Sequence, residues 1–298
     1  MAYPNTGQTA SYTDTFGEDS DYTINPPHYT KLDAFGNALA DSAMNWTMVR
    51  DDVTDLVWEV KMDDGGIHDK DDTYTWQDAQ DVFIAQLNSD NFGGYADWRL
   101  PTVHELPALV DADAFDPSID TVAFPNAIGS GYWSSTPFTY DTRYVWGVNF
   151  HYGDVDTLVK SNSYRVRAVR GGQPAAHLVD NGDGTVSDTA TGLTWQQGEA
   201  GAMTWEAALA YCENLDLAGH DDWRLPNRNE LQSIVDYEKA DPSIDTVFFP
   251  GAVSSAYWSA TSDAYDGGGA WGAHFYGGPV YIFSKSYSYY VRAIRGGQ

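Results

Sequence analysis

The chain has one cysteine, few cations and no long apolar run. A single Cys212 rules out a disulfide framework and any cysteine cluster for zinc or iron. Its spacing from Trp205 and Leu209 puts it on the apolar face of a helix, where the thiol reads as buried and inert. Lys and Arg number 16 against 43 Asp and Glu, giving a formal charge of −27. Nucleic-acid binding draws on counterions displaced by clustered Lys and Arg, so nucleic acid and anionic membrane surfaces are not expected partners. A solvated acidic surface accounts for the charge; bound Ca²⁺ or a salty habitat are the alternatives. No segment approaches membrane-spanning length, so direct membrane insertion is not expected, and the first residues, MAYPNTGQTA, lack the basic and apolar regions of a signal peptide. G-x-S-x-G, a phosphate loop, H-E-x-x-H and CxxC are all missing. Catalysis needs a nucleophile, a tuned acid or base, or a metal in one constellation, and the sequence points away from an enzyme.

What the chain does have is repetition. Trp98 and Trp223 stand 125 positions apart, and that offset holds without a gap from Asp97–Gln173 to Asp222–Gln298. More than half of the paired positions are identical: DWRLP, DPSIDTV, YWS, VRA and RGGQ all recur. A unit of this length is a whole domain, since solenoid repeats run 20 to 50 residues. Two domains are expected, 1–173 with an N-terminal extension and the acidic insertion KMDDGGIHDKDD, and 174–298.

Each copy reads as two helices followed by short strands. Thr75 and Thr204 stand at N-cap positions before apolar residues spaced for one helix face. Thr102 with Glu105, and Asn227 with Glu230, have capping-box spacing directly after DWRLP. Pro101 and Pro226 bias the preceding Leu toward extended backbone, so DWRLP reads as extended chain turning into a helix. The alternation in RVRAVR and YVRAIR is that of strands. The expected fold is α+β, with two helices packed on a twisted antiparallel sheet and long loops in each copy. Arg99, Arg224, Arg167 and Arg292 sit in apolar surroundings. Stacking on Trp, or a fork to Glu105 or Glu230, would tie helix to sheet.

In order along the chain, TGQT, GDGTVSDTATGLTW, TWEAALAYC, DWRLPNRNEL, DPSIDTVFFP, YWSAT, AWGAHF and YYVRAIRGG resemble the Lcl C-terminal-domain family. That resemblance implies a C-type lectin-like fold related to the formylglycine-generating enzymes. It further implies a secreted or surface-displayed bacterial protein, in some members a glycan-binding adhesin or a variable protein of a diversity-generating retroelement. Formylglycine-generating chemistry relies on an active-site cysteine, which one helical Cys212 does not supply. Copy one replaces NGDGTVSDTATGLTW with DSAMNWTMVRDDVTDLVW and so departs from the pattern.

Two sets of residues are candidates for ligands. Asp180, Asn181, Asp183 and Asp188 in DNGDGTVSD offer the hard oxygens Ca²⁺ prefers, without EF-hand spacing; an Asx hairpin turn is the alternative. The Asp-rich insertion, from Asp63 to Asp72, reads as a second Ca²⁺ candidate or a solvated loop. The other set lies in 257–295, where the copies disagree at Asp263, His274, Tyr276, Tyr281, Phe283, Tyr287 and Tyr290 on a common framework, with Tyr265 and Asp266 among them. Tyr, Ser, Gly, Asn and Asp on a rigid scaffold is the chemistry of a paratope. The expected function is recognition of a protein or glycan through this segment; ordinary drift after duplication is the alternative.

Overall fold

The computed structural model describes residues 3–172 and 177–297, so the sequence boundary at Gln173 and Pro174 lies outside the described residues. Two compact units result: Pro27–Gln173, and Met1–Pro26 together with Pro174–Gln298. The N-terminal extension assigned by sequence to the first copy therefore packs with the second. Its polar side chains explain the choice, because Gln8, Glu18 and Asp19 are buried against Thr261 and Ser262 of that unit.

In the first unit, Tyr29–Leu32, Met48–Asp51, Val57–Glu59 and Val169–Arg170 form one antiparallel sheet. Gly131–Pro137, Tyr144–Asn149 and Asp154–Val159 form an antiparallel meander. The Thr75 hydroxyl accepts from the Asp78 amide at 3.2 Å and opens a helix built of Trp76–Asp78, a π turn at Ala79–Ile84, and Ala85–Ser89. Ala79, Phe83 and Leu87, one helical turn apart, are fully buried on Trp98, Leu100, Trp133 and Val166. The second expected helix does not form here. Thr102 and Glu105 do exchange capping bonds at 3.2 and 2.8 Å, but the chain then makes only a 3₁₀ turn at Leu106–Leu109. Pro107 lacks the N–H an α-helix needs at that position.

In the second unit, Leu178–Asp180, Thr185–Asp188, Leu193–Gln196 and Ile294–Gly296 make one antiparallel sheet. Ala202–Met203, Tyr289–Tyr290, Ala256–Ser262, Gly269–His274 and Val280–Ser284 make another, with Tyr257 and Tyr290 paired in parallel. Both helices form, Trp205–Glu213 and Arg228–Ser233. The Asn227–Glu230 capping box is complete, whereas Thr204 makes no side-chain cap bond. Trp205, Leu209, Cys212, Trp223, Trp258 and Val291 share one buried core. Burial drives the Cys212 thiol well above its ordinary pKa, which keeps it protonated.

DWRLP is the same joint in both units. The amide and carbonyl of Arg99 bond those of Val169, and Arg224 does the same with Ile294. Trp98 and Trp223 are buried, and each indole N–H donates to a nearby carbonyl, of Phe92 and His220. The guanidiniums fork onto Glu105 and Glu230 at 2.6 and 2.7 Å. Arg167 and Arg292 stack on Phe124 and Phe249, at 4.6 and 4.5 Å, rather than on Trp. Their guanidiniums donate to the Glu59 and Gln196 carbonyls, both at 2.8 Å. Gly147 and Gly272 mark a shared close approach: a Cβ there would lie 2.7 and 2.4 Å from the carbonyls of Tyr132 and Tyr257.

Candidate ligand-binding face

The nine positions singled out in the C-terminal segment separate into four places. Asp263, Tyr265 and Asp266 lie in the loop between Ala256–Ser262 and Gly269–His274. The turn carrying Tyr287 is tied to it, because the Lys285 amide donates to the Gly268 carbonyl at 3.0 Å. His274 and Tyr276 lie at the opposite end of the Gly269–His274 strand, about 17 Å away at ~3.4 Å per residue. Tyr281 and Phe283 lie along Val280–Ser284, opposite Gly272 and Ala270. Tyr290 pairs with Ala202, its ring 5.5 Å from that of Tyr257. The structure therefore does not bring the nine into one face.

Two of the nine are packing residues. The Phe283 ring lies 4.8 Å from Tyr289 and 6.2 Å from Trp258, over the place where Gly272 leaves room. Leu158 fills the corresponding room over Gly147, so the Leu-to-Phe difference between copies is repacking. Tyr290 is half-buried against Tyr257.

The loop end carries more exposed aromatic surface. Tyr265 is 71% and Tyr287 62% exposed, and Ser284, Ser286 and Ser288 beside Tyr287 are exposed as well. The loop backbone beneath them is held: Asp263 Oδ1 accepts from the Tyr265 amide at 3.0 Å, Asp266 Oδ1 from Gly268 at 2.8 Å, and the Gly267 amide donates to the Asp263 carbonyl at 2.9 Å. Partial burial raises the Asp263 carboxyl above its ordinary pKa, opposed by the Tyr265 amide and reinforced by Asp266. At the other end Tyr276 is 62% exposed, and His274 Nδ1 accepts its amide at 3.2 Å. Burial lowers the His274 pKa, favouring the neutral ring.

A set of residues that composition and spacing did not reveal lies under the loop. The N-terminal segment straps the unit, and two adjacent carboxylates anchor it. Asp19 accepts from Thr6 at 2.5 Å, Thr261 at 2.7 Å and Asn5 at 3.2 Å. Glu18 accepts from Gln8 at 2.8 Å and from the Ser262 hydroxyl, while the Ser262 amide donates to Gln8 at 2.7 Å. Lys285 donates to Ser262 at 2.8 Å and stands 3.9 Å over the Trp205 ring. Burial lowers its pKa, and the surrounding carboxylates, Glu18 foremost, oppose that. Burial raises the Asp19 carboxyl to about 6, against the pull of Thr6 and Thr261. Further along, Tyr12 lies 2.8 Å from where a Cβ on Gly267 would be. The sole sequence signal for this strap is TGQT, which contributes Thr6 and Gln8 to it.

The strap also walls a cavity of about 150 Å³, lined by its Phe16 and Tyr22 with Glu213, Asp221, Asp222 and Arg224. Tyr22 donates to Glu213, and Asp222 is forked by Arg295 at 2.6 and 3.0 Å.

The Ca²⁺ candidates do not converge. Asp180 accepts from Gly182 at 2.8 Å and Asp183 from Thr185 at 3.1 and 2.6 Å, while the Asn181 side chain donates to Thr185 and Ser187 at 2.8 and 2.9 Å. This is an Asx hairpin turn. Asp188 lies at the far end of the strand, opposite Leu178, and caps the amides of His177 and Ala190 at 3.1 and 2.9 Å. In the acidic insertion, Asp69 accepts from Asp64, Gly65 and Asp71 at 2.9, 2.6 and 2.8 Å, and Lys70 pairs with Asp63 at 2.5 Å. Among the described residues, no group of three or more His, Cys, Asp or Glu could hold a metal ion. No helix among them is long and apolar enough to cross a membrane.

These features define a tandem α+β protein, one domain plan used twice, with an aromatic loop end on its C-terminal copy. The Lcl C-terminal domain is matched at residues 47–170 and again at 184–295, and the chain belongs to that family. No curated protein matches it.

Proposed function

We propose that the protein is a noncatalytic recognition protein, displayed on or secreted from the cell, whose two units are C-type lectin-like. It recognises a protein or glycan through the loop end of the C-terminal unit. The observation that carries this reading is the pairing of exposed Tyr265 and Tyr287 with a fixed backbone. Tyr supplies large contact area at low entropic cost, and Ser284, Ser286, Ser288 and Asp266 supply adaptable polar partners. Because the loop is anchored from below, side chains can change there without moving the frame, which suits diversification by a retroelement. The family resemblance supports the surface location. Ca²⁺ has no part in this reading, since the candidate carboxylates already hold backbone amides.

The test is a glycan and surface-protein binding array read with the wild-type chain and with Tyr265→Ala/Tyr287→Ala. Truncating two central aromatics is expected to weaken a positive signal by roughly 30-fold or more, at about 2 kcal/mol or more in all. Tyr276→Ala, at the other end of the strand, is expected to leave it within about 3-fold. Unchanged binding in the double variant would move the site elsewhere. Sequencing the 3′ end of the gene across a population tests diversification, and uniform codons for residues 263–290 would end it.

A further inference from the structure

We propose that the groove filled by the N-terminal strap is also an interaction site between two copies of this chain, the strap of one docking on the C-terminal unit of the other. The strap completes a unit to which it is not directly joined. Residues 3–25 belong to the C-terminal unit, while the chain leaving them enters the unit formed by Pro27–Gln173. Asn25 is the last anchor on one side, its amide side chain donating to the Gly297 carbonyl at 2.7 Å. His28 is the first on the other, its carbonyl accepting from Asp52 at 2.9 Å. Between them stand two residues, Pro26 and Pro27, whose fixed φ makes a short, stiff hinge.

The bonds that seat the strap are the same whichever molecule supplies it. They are polar, buried and specific: Gln8, Glu18 and Asp19 take the donors of Thr261 and Ser262, and the Pro4 carbonyl accepts from Asn229 at 3.1 Å. Without a strap those donors turn to water and the surface it covers is exposed, and a second copy's strap restores both the bonds and the burial. Cis and trans docking then differ only in the entropy of the connection and in concentration. Short, stiff hinges favour exchange.

The repeat sets the stoichiometry. Ser262 corresponds to Pro137 at the offset of 125, and proline has no N–H to give Gln8. Asn229 corresponds to His104, so the seat for the Pro4 carbonyl is changed too. Each chain therefore has one strap and one matching groove, and where two chains exchange straps reciprocally they close into a two-fold dimer.

The test uses the full chain and a fluorescent peptide of residues 3–25. A full-length Glu18→Ala/Asp19→Ala variant, whose own strap is weakened, is expected to take up one wild-type peptide per chain. The same peptide carrying Glu18→Ala/Asp19→Ala is expected to bind at least 10-fold more weakly. This control does not depend on folding, and Ser262→Pro in the chain serves as a second, its strand having a proline at the same place in copy one. Wild-type chain is expected to dimerise in light scattering as its concentration rises from about 1 µM to about 1 mM, and excess peptide is expected to dissolve the dimer. A monomer throughout that range overturns the proposal. So does a folded strap variant that ignores the peptide.

Discussion

The Arg–Glu fork beside DWRLP occurs twice with the same bond lengths, yet in different surroundings. In the first unit Arg99 is 36% exposed; in the second, Arg224 is 6% exposed, because Tyr22 of the strap lies over it, 5.6 Å from its guanidinium. An exposed pair is screened and contributes little, whereas a dehydrated pair is costly to break from one side. Identical sequence thus has unequal energetic weight, and the inequality comes from a segment more than 190 residues away in the chain. A second contrast runs through the buried carboxylates. The first unit buries Glu59, which the second replaces with Gln196; both accept an equivalent amide, of Ala168 and Ala293, at 3.1 and 3.2 Å. Burial alone would raise the Glu59 pKa, but Lys61 and His68, each at 2.9 Å, bring it down to about 2. In the second unit a buried carboxylate of the strap, Asp19, is instead raised to about 6.

The largest expected difference is between Arg224→Ala and Arg99→Ala. Removing Arg224 strands Glu230 and is expected to cost about 3–5 kcal/mol, while removing Arg99 is expected to cost less, about 1–2 kcal/mol, because Arg99 itself opens to water although Glu105 is buried. Urea unfolding of both variants checks this, and equal losses would mean that the strap does not govern the fork.

Next in size is pH. Asp19 binds its proton more tightly folded than unfolded, so its contribution is fully present below about pH 4 and is lost as pH rises through 6, about 3 kcal/mol in all. Glu59 runs the opposite way: its contribution is present above about 4.5 and is lost as pH falls toward 2, also about 3 kcal/mol. Asp19→Asn is expected to flatten the stability profile between pH 4 and 7 while leaving the acid limb below 4.5 in place. Denaturation midpoints measured across that range would show it, and a profile unchanged by Asp19→Asn would refute the assignment.

A smaller effect is expected from Gly267→Ala, at a left-handed φ of 66° and against Tyr12. It should cost about 1–2 kcal/mol and speed amide exchange in the strap. Thr142→Gly at the corresponding place in the first unit should stay within about 0.5–1 kcal/mol. The smallest effect is expected from metal removal: EDTA should leave the melting temperature of either unit within about 1 °C, since a ligand that does not bind the fold cannot stabilise it. A larger drop would reopen the Ca²⁺ question at Asp180–Asp188.

What could be read from the chain was what is local. The capping box at Asn227 and the Arg–Glu fork beside DWRLP depend on residues a few positions apart, and the repeat shows as the same run of letters twice, so all three are visible in order. The strap was not visible because its partners are distant: Glu18 meets Ser262, 244 residues on. The second helix of copy one failed at a single residue, Pro107, inside an otherwise sound cap. Among the candidate site residues, disagreement between copies marked two different things. At Tyr276 and Tyr287 it marks exposed surface. At Phe283 and Tyr290 it marks a change of packing, because a strand turns alternate side chains inward and a core drifts as long as volume is kept.

The placement of the strap has a mechanical consequence. Tyr3 and Gly297 both belong to the C-terminal unit, with the other unit inserted between them. A load applied ahead of Tyr3 and behind Gly297 is borne first by the strap's buried hydrogen bonds and by the Asn25 bond to Gly297. The inserted unit comes under tension only after those give way, so its transition in a pulling experiment is expected to follow strap release.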